Sequence, residues 1–401
     1  IIQYNMLNTM WLYLIIILII LGLYFTKKIN FKNYKIFSLT KKLNYETLFL
    51  ALGTKMGVGS LIGTTMSIFI GGPGSLFWIY LFTLITSSLI YIESFLGSKY
   101  KQKTKSGYIG GIYYYTKFGL KNNVLAIIML IMFITTYSIF FLMIQTNTIK
   151  NTLLINPHLL TIIILILSIL LITNNINEIK NILNKIVPFI CIFFISISLY
   201  KIIKNINLVG IIFNTIIKSA FNTKSMLVGI VIGIKRSIFL NELLIGTTSM
   251  SSGINNMDKK VTANTLVIGS YFIVFIVSTL LTMLILIYKI NTNVVDTSYI
   301  NLLKNTFTYH YNTLGNYYLN LMITLLATSS IISGIYIGLS NINYLTNNKI
   351  IINITKLIIL TTLTLGIYLN TDKIWLFIDI MMLSLITLNS IIIYKLRDKI
   401  I

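Results

Sequence analysis

Ala51-Leu-Gly-Thr-Lys-Met-Gly-Val-Gly-Ser-Leu-Ile-Gly63 lies inside an apolar segment, residues 46–70, that is long enough to cross a bilayer. Glycines and a lysine interrupt it at its centre, and the turn Gly71-Gly-Pro-Gly74 follows. Inside hydrocarbon every backbone N–H and C=O needs a partner, so irregular chain at that depth persists only where it is buried in protein or lines a cavity. A span broken in this way points to a binding site near the bilayer midplane.

The rest of the chain fits that setting. Of 401 residues, 56% are hydrophobic and only 10% charged, against roughly 25% charged in soluble domains; mean hydropathy is +0.86. This is the composition of an all-α polytopic membrane protein, read here as a single transmembrane domain over 1–401. The excess of 32 Lys+Arg over 9 Asp+Glu would suggest nucleic acid in a soluble protein. Here the basic residues fall between apolar runs, so the expected partner is the lipid bilayer and not nucleic acid. Cys191 is the one cysteine and sits in an apolar run, a packed thiol with no intramolecular disulfide. Enrichment in Ile, Asn, Lys and Tyr reads as a genome-wide AT bias, which leaves motifs to carry the argument. The chain begins at Ile1, with no charged n-region or cleavage site ahead of Trp11 to Phe25, and that run reads as a retained span.

A membrane helix needs about 20 apolar residues. Segments near that length run over 8–26, 46–70, 74–98, 123–147, 158–174, 182–203, 225–248, 262–288, 317–341, 350–370 and 374–395, which predicts about 11 spans. The connector 27–45 carries Lys27, Lys28, Lys32, Lys35, Lys41 and Lys42, and the connector 99–121 carries Lys99, Lys101, Lys103, Lys105, Lys117 and Lys121. Both read as cytoplasmic by the positive-inside rule. The C-terminus, with Lys395, Arg397 and Lys399, then falls inside and the N-terminus outside. The stretch 201–224, with Lys201, Lys204, Lys218 and Lys224, is predicted external; its Ile212-Phe213 and Ile216-Ile217 spacing suggests an amphipathic helix at the interface.

With 8–26 set aside as a peripheral helix, ten spans divide into a first repeat, 46–203, and a second, 225–395. The opening span of each half carries a break: the second reads Gly229-Ile-Val-Ile-Gly-Ile-Lys-Arg-Ser-Ile-Phe-Leu-Asn-Glu-Leu-Leu-Ile-Gly246. Matched broken spans point to an inverted repeat whose second copy enters the membrane in the opposite sense. Glycines in membrane helices also serve close packing. Lys55 beside them argues for a cavity, because a central lysine costs on the order of 3 kcal/mol unless it is paired or wet; Lys235, Arg236, Glu242 and Asp379 make the same demand.

At these residues the sequence resembles the alanine or glycine:cation symporter family, also called sodium:alanine symporters. The resemblance runs from Trp11 to about Tyr394 and rests on Ala51-Leu52-Gly53, Gly57-Val58-Gly59, Gly71-Gly-Pro-Gly-Ser-Leu-Phe-Trp78, Gly233-Ile-Lys-Arg236, Asn241-Glu242 and Gly246. Glu93, Gly110-Gly111, Tyr113-Tyr114, Pro188-Phe189, Ala220-Phe221, Trp375, Asp379 and Asn389 are similar as well. It implies a leucine-transporter-like 5+5 inverted repeat with an extra N-terminal helix, in a bacterial plasma (inner) membrane. It also implies sodium-coupled symport of alanine or glycine, with no enzymatic activity, no cofactor beyond the co-transported sodium ion, and no bound structural metal. The chain departs from the pattern at Ser60, where the family has an asparagine, and at Leu243-Leu244, where it has small residues. An Asp-Thr pair is lost around Tyr271 to Val274, and Tyr-Tyr-Gly-Glu becomes Tyr336-Ile-Gly-Leu339.

An unwound segment offers free N–H groups to a carboxylate and free carbonyls to a cation. The expected substrate contacts are therefore Thr54, Gly57, Gly59, Ser60 and Asn241, and the expected ion ligands Thr54, Val58 and Ser60, an oxygen set suited to sodium. Asn241 and Glu242 would cap the second broken helix or approach the ligand, and Glu242 has Arg236 as a possible internal partner. Lys235 and Arg236 would close a cytoplasmic gate through Glu242 or Glu93. Glu93 alternatively pairs with Lys99 or Lys101, Glu46 is a helix N-terminal acid, and Asp379 needs a partner that the sequence does not name. His158 and His310 have no metal spacing. Without a nucleotide motif, transport must draw on a gradient. Two other readings suit the composition: a degenerate symporter kept as a sensor or inactive, and an ion-translocating subunit of a respiratory complex. The latter uses unbroken or proline-broken helices, whereas the breaks here are glycine-based.

Overall fold

The chain forms helices almost throughout in a computed structural model that describes residues 2–34, 45–104, 107–153, 155–173, 176–223, 226–254 and 256–400. The side chain of Glu46, and Lys35, Lys41, Lys42, Lys105 and Lys224, lie outside the described set. In order, the helices are α1 (Ile2–Lys28), α2 (Tyr45–Lys55), α3 (Val58–Gly71), α4 (Ser75–Lys99), α5 (Ile112–Tyr114), α6 (Asn123–Ile134), α7 (Phe141–Leu153), α8 (Pro157–Thr173) and α9 (Ile176–Lys204). There follow α10 (Ile206–Ala220), α11 (Met226–Asn241), α12 (Thr247–Ser252), α13 (Lys259–Tyr271), α14 (Thr279–Thr292), α15 (Tyr299–Tyr311), α16 (Thr313–Leu345), α17 (Lys349–Tyr368) and α18 (Thr371–Lys395). A short antiparallel hairpin, β1 (Gln102–Thr104) with β2 (Gly107–Ile109), follows α4. Wide π-turns occupy Tyr115–Gly119, Thr135–Phe140 and Phe272–Ser278; the last two join α6 to α7 and α13 to α14 into continuous spans.

Eight of the described helices are long and apolar enough to cross a membrane, and α2 with α3 makes a ninth span bent by 49°. This is a polytopic membrane protein. The helix α8 is shorter, and α11 reaches span length only with α12 across a break. Their outer faces carry exposed aliphatic side chains, Ile162, Ile166 and Leu170 on α8 and Leu227 and Val228 on α11, a surface suited to lipid.

The helix ends gather at two poles. At one, Lys28 pairs with Asp398 at 3.0 Å, Lys99 Nζ donates to the Lys399 carbonyl at 2.5 Å, Lys399 Nζ to Gly119 O at 2.5 Å and Lys101 Nζ to Met257 O at 3.4 Å. The hydrogen bond from Lys28 holds the Asp398 carboxyl below its ordinary range. At the other pole Lys304 donates to Asn151 O at 3.2 Å, Asn151 reaches Thr371 at 3.1 Å and His158 meets the Tyr368 hydroxyl at 3.2 Å.

The helix expected over 201–224 is narrower: Lys201 and Lys204 end α9, and α10 begins at Ile206. Ile212 and Ile216 are buried, while Phe213 and Ile217 face out. Neither α15 nor the β1–β2 hairpin is expected from hydropathy, because both are too polar or too short to register as spans.

The turn after α3 explains its glycines. Gly72 takes φ +73°, in the left-handed region that favours glycine. Gly74 lies so close to α10 that a Cβ there would sit 2.3 Å from the Ala220 nitrogen. Gly74→Ala is therefore expected to push α10 off the α3–α4 corner and cost about 1–3 kcal/mol, read as a lowered unfolding temperature in detergent. An unchanged temperature would contradict the close packing.

Candidate functional site

The first break falls at Met56-Gly57, between α2 and α3. Gly57 is extended, φ −82° and ψ −179°, and caps α3 without a side chain. A Cβ on Gly57 would stand 2.4 Å from Ser330 Oγ, whereas one on Gly59 would meet only the Phe141 ring at 3.8 Å. Close approach thus requires glycine at 57 but not at 59. The Val58 amide donates to Gln145 Oε1 at 3.3 Å.

Both hydroxyls expected as ligands fold back on their own helices. Thr54 Oγ1 donates to Ala51 O at 2.9 Å, and Ser60 Oγ donates to Gly57 O at 2.8 Å. Each proton is spent on the backbone, so each oxygen faces outward with lone pairs only, the property a cation ligand needs. Beside Thr54 a cavity bounded by Leu50, Met250, Ser251, Ser333, Tyr336 and Ile337 leaves about 10 Å³ for the centre of a water, room for one.

The second break runs from Glu242 to Gly246, later in the sequence than its glycines suggest. Gly229 and Gly233 lie inside the continuous helix α11 and pack it on the α3–α4 corner: a Cβ on Gly233 would come within 2.7 Å of Ser75 O. At the break itself Glu242, Leu244 and Gly246 have φ +48°, +58° and +110°. Left-handed backbone at Glu242 and Leu244 costs about 1–3 kcal/mol each and persists only where its surroundings impose it. Two residues impose it. The buried Glu93 carboxyl on α4 faces the backbone of Leu244 and Gly246 and accepts the Ser249 hydroxyl at 3.4 Å on Oε1, and Asn389 Nδ2 on α18 donates to Leu244 O at 2.8 Å. Asn389 Oδ1 in turn accepts the Tyr115 hydroxyl at 2.5 Å.

This corrects two expectations. Glu93 does not pair with Lys99 or Lys101; it is fully buried and braces the second break. Asn241 turns to α4 and not to the first break: its Nδ2 donates to Thr83 Oγ1 at 2.8 Å and to Ser237 O at 2.9 Å, so it packs α11 against α4.

The two breaks adjoin, since α12 packs against α2. Between them stands Lys55, whose Nζ donates to Ser270 Oγ at 2.5 Å within electrostatic reach of Glu242 and Glu93. Glu242 Oε2 accepts the Thr247 hydroxyl at 2.7 Å; Lys55, and not Arg236, is its cationic neighbour. The hydroxyls of Thr54 and Tyr137 come up to the same carboxylate without closing a hydrogen bond on Oε1.

The other two cations lie apart from this group. Lys235 pairs directly with Asp379 and lies 5.2 Å from the Trp11 ring. Arg236 lies 4.6 Å from Trp375, 5.3 Å from Phe239 and 2.8 Å from Met66 Sδ, with Tyr299 of α15 in electrostatic range. Because α15 follows α14 at the Asn151–Lys304 pole, Arg236 stands toward that pole and away from the basic one. Lys235 is thus engaged by Asp379, and Arg236 packs on Trp375, Phe239 and Met66.

Tyr137, Gln145 and Ser330 complete the polar group and were not singled out from the sequence. Gln145 Nε2 and Ser330 Oγ are buried without hydrogen-bond partners and both face Gly57. The signal was present as polar runs inside apolar spans, Thr135-Thr-Tyr-Ser138 and Thr328-Ser-Ser330. Cys191 is buried against Met56, as its apolar run suggested.

Comparison with known proteins gives one family. The model of the sodium:alanine symporter family matches residues 2–401. The chain is similar to the amino-acid carrier protein AlsT of Bacillus subtilis, 25% identical over 97% of this chain and 88% of that one. It is also similar to the probable sodium/glutamine symporter GlnT of the same organism, 22% identical over 96% and 85%. A sodium/proton-dependent alanine carrier protein of Bacillus sp. PS3 is 37% identical over a shorter stretch, 13% of this chain and 12% of that one.

Proposed function

Because the chain belongs to the sodium:alanine symporter family, we propose that it imports a small neutral amino acid, alanine or glycine, with sodium by alternating access across a bacterial inner membrane. The observation that carries this reading is the meeting of two broken spans around buried polar groups. The backbone of Gly57 and Gly59 at the start of α3 receives the substrate carboxylate, and Gln145 Nε2 and Ser330 Oγ supply further polar contacts. The outward lone pairs of Thr54 and Ser60 receive the cation. Two matched breaks fit a 5+5 inverted repeat, 46–203 and 225–395, with α1 peripheral. The pole that collects Lys28, Lys99, Lys101 and Lys399 faces the cytoplasm by the positive-inside rule, which puts the C-terminus inside and the N-terminus outside.

Small substrates are favoured because Leu243 and Leu244, both fully buried, fill the second break where the family has small residues. The same leucines favour the alternative of an inactive or sensing relative, and binding separates substrate classes directly. Alanine and glycine are expected to raise the unfolding temperature of the detergent-solubilised protein in sodium and not in choline. Stabilisation by glutamine and not by alanine would overturn the substrate assignment. Gly57→Ala is expected to weaken alanine binding by about tenfold or more, the loss of one to two hydrogen bonds' worth of net free energy. Gly59→Ala, which meets open packing, should bind alanine as the wild type does. Equal effects at the two positions would remove Gly57 from the site.

A further inference from the structure

Lys55, Glu93 and Glu242 stand where the two breaks adjoin, and with all three ionised they carry one more negative charge than positive. They are 3%, 0% and 1% exposed. Lys55 is held by Ser270 and stands in reach of both carboxylates. Among the described residues it closes no ion pair with either. Surrounding groups do not cancel the excess. Lys235 and Asp379 neutralise each other, Arg236 lies over Trp375 and Met66, and the phenols of Tyr115 and Tyr137, which face Glu93 and Glu242, carry no charge near neutrality. An interior sealed from water does not tolerate an uncompensated charge, so in that state the cluster calls for one further monovalent cation.

We infer that Lys55 is a resident cation that does permanently the work of one transported ion, and that the remaining charge binds a single sodium ion per cycle at Glu242. This rests on the symport reading and adds the number of ions and the carboxylate that holds the ion. Each carboxyl has one oxygen enclosed without a partner: Glu93 gives Oε1 to Ser249 and Glu242 gives Oε2 to Thr247, leaving Glu93 Oε2 and Glu242 Oε1. Glu93 faces the backbone of Leu244 and Gly246, whereas Glu242 faces side-chain oxygens. Thr54 spends its proton on Ala51 O and presents lone pairs toward the same carboxylate, and Tyr137 brings a third oxygen. A carboxylate with hydroxyl oxygens is the donor set of a small hard cation. An ion there joins the end of α2 to the end of α11, so one binding event closes both breaks. Lys55, tethered between α2 and α13, balances charge without bridging them.

The test measures radiolabelled sodium and alanine uptake in the same proteoliposomes. The wild type is expected to move one sodium per alanine with a hyperbolic sodium dependence. In Lys55→Met the two carboxylates need two ions, and the Hill coefficient for sodium rises from about 1 toward about 2; Lys55→Arg keeps the hyperbolic form. Two or more sodium ions per alanine in the wild type, or an unchanged sodium dependence in folded Lys55→Met, would overturn the inference while leaving symport intact. Sodium-independent uptake by the wild type would overturn the symport reading as well. If Lys55→Met does not fold, sodium binding to purified Glu242→Gln decides: binding lost supports the assignment, binding kept overturns it.

Discussion

Glu93→Leu is expected to leave little folded, transport-competent protein. The Glu93 carboxyl accepts the Ser249 hydroxyl and lies against the backbone of Leu244 and Gly246 in the second break. Each buried donor left without an acceptor costs about 1–3 kcal/mol. Removing the acid also strips Lys55 of one of its two counter-charges, and losing one member of a buried ion group typically costs about 3–5 kcal/mol. Stability of a whole domain is only about 5–15 kcal/mol, so these terms together reach that scale. Glu93→Gln keeps one acceptor oxygen and a similar shape, and it should recover part of the folded yield. Thermal unfolding and monodispersity in detergent read both variants. If Glu93→Leu unfolds at the wild-type temperature, the left-handed backbone at Glu242 and Leu244 is held by something other than Glu93.

The second large effect belongs to Lys235 and Asp379. Their side chains are 12% and 13% exposed, in the middle of α11 and α18, and Trp11 of α1 covers the ammonium. Lys235→Met should leave Asp379 charged and unpaired inside the membrane, at a cost of about 3–5 kcal/mol. Asp379→Leu should cost a similar amount by leaving the lysine alone. The double variant replaces the pair by apolar side chains of similar volume, and such exchanges are often neutral or stabilising. Unfolding temperatures across this cycle are expected to show both singles well below the wild type and the double close to it. Additive losses would mean that the two residues do not depend on each other.

The sequence made some of this architecture legible and hid the rest for physical reasons. Long apolar runs are read reliably because span length is fixed by the bilayer, so among the described residues nine of the eleven expected spans stand close to their expected positions. The first break was readable because Gly57 and Lys55 violate helix rules within a few residues of each other. The second was misplaced: Gly229 and Gly233 look like breakers but serve helix packing, while the chain leaves the helix at Glu242 and Leu244, two residue types that rarely adopt left-handed backbone. The carboxyl of Glu93, 151 positions from Leu244, and the amide of Asn389, 145 positions from it, hold that conformation, and no local pattern announces such partners.

Charge pairing was the least legible layer. Nearness in sequence suggested Glu93 with Lys99 and Glu242 with Arg236, but helices at different depths exchange partners. Asp379 finds Lys235 across 144 positions, and Glu242 finds Lys55 instead of the arginine on its own helix. The family motif carried Glu93, Asp379 and Asn389 as important without saying what each touches.

The most direct test of the central reading is uptake of labelled alanine by proteoliposomes holding the purified protein, with an inward sodium gradient and then with sodium replaced by choline. Transient accumulation of alanine above its equilibrium level in sodium, abolished in choline, is the predicted result. Alanine entry that ignores the sodium gradient, or no alanine entry by folded protein, would contradict it.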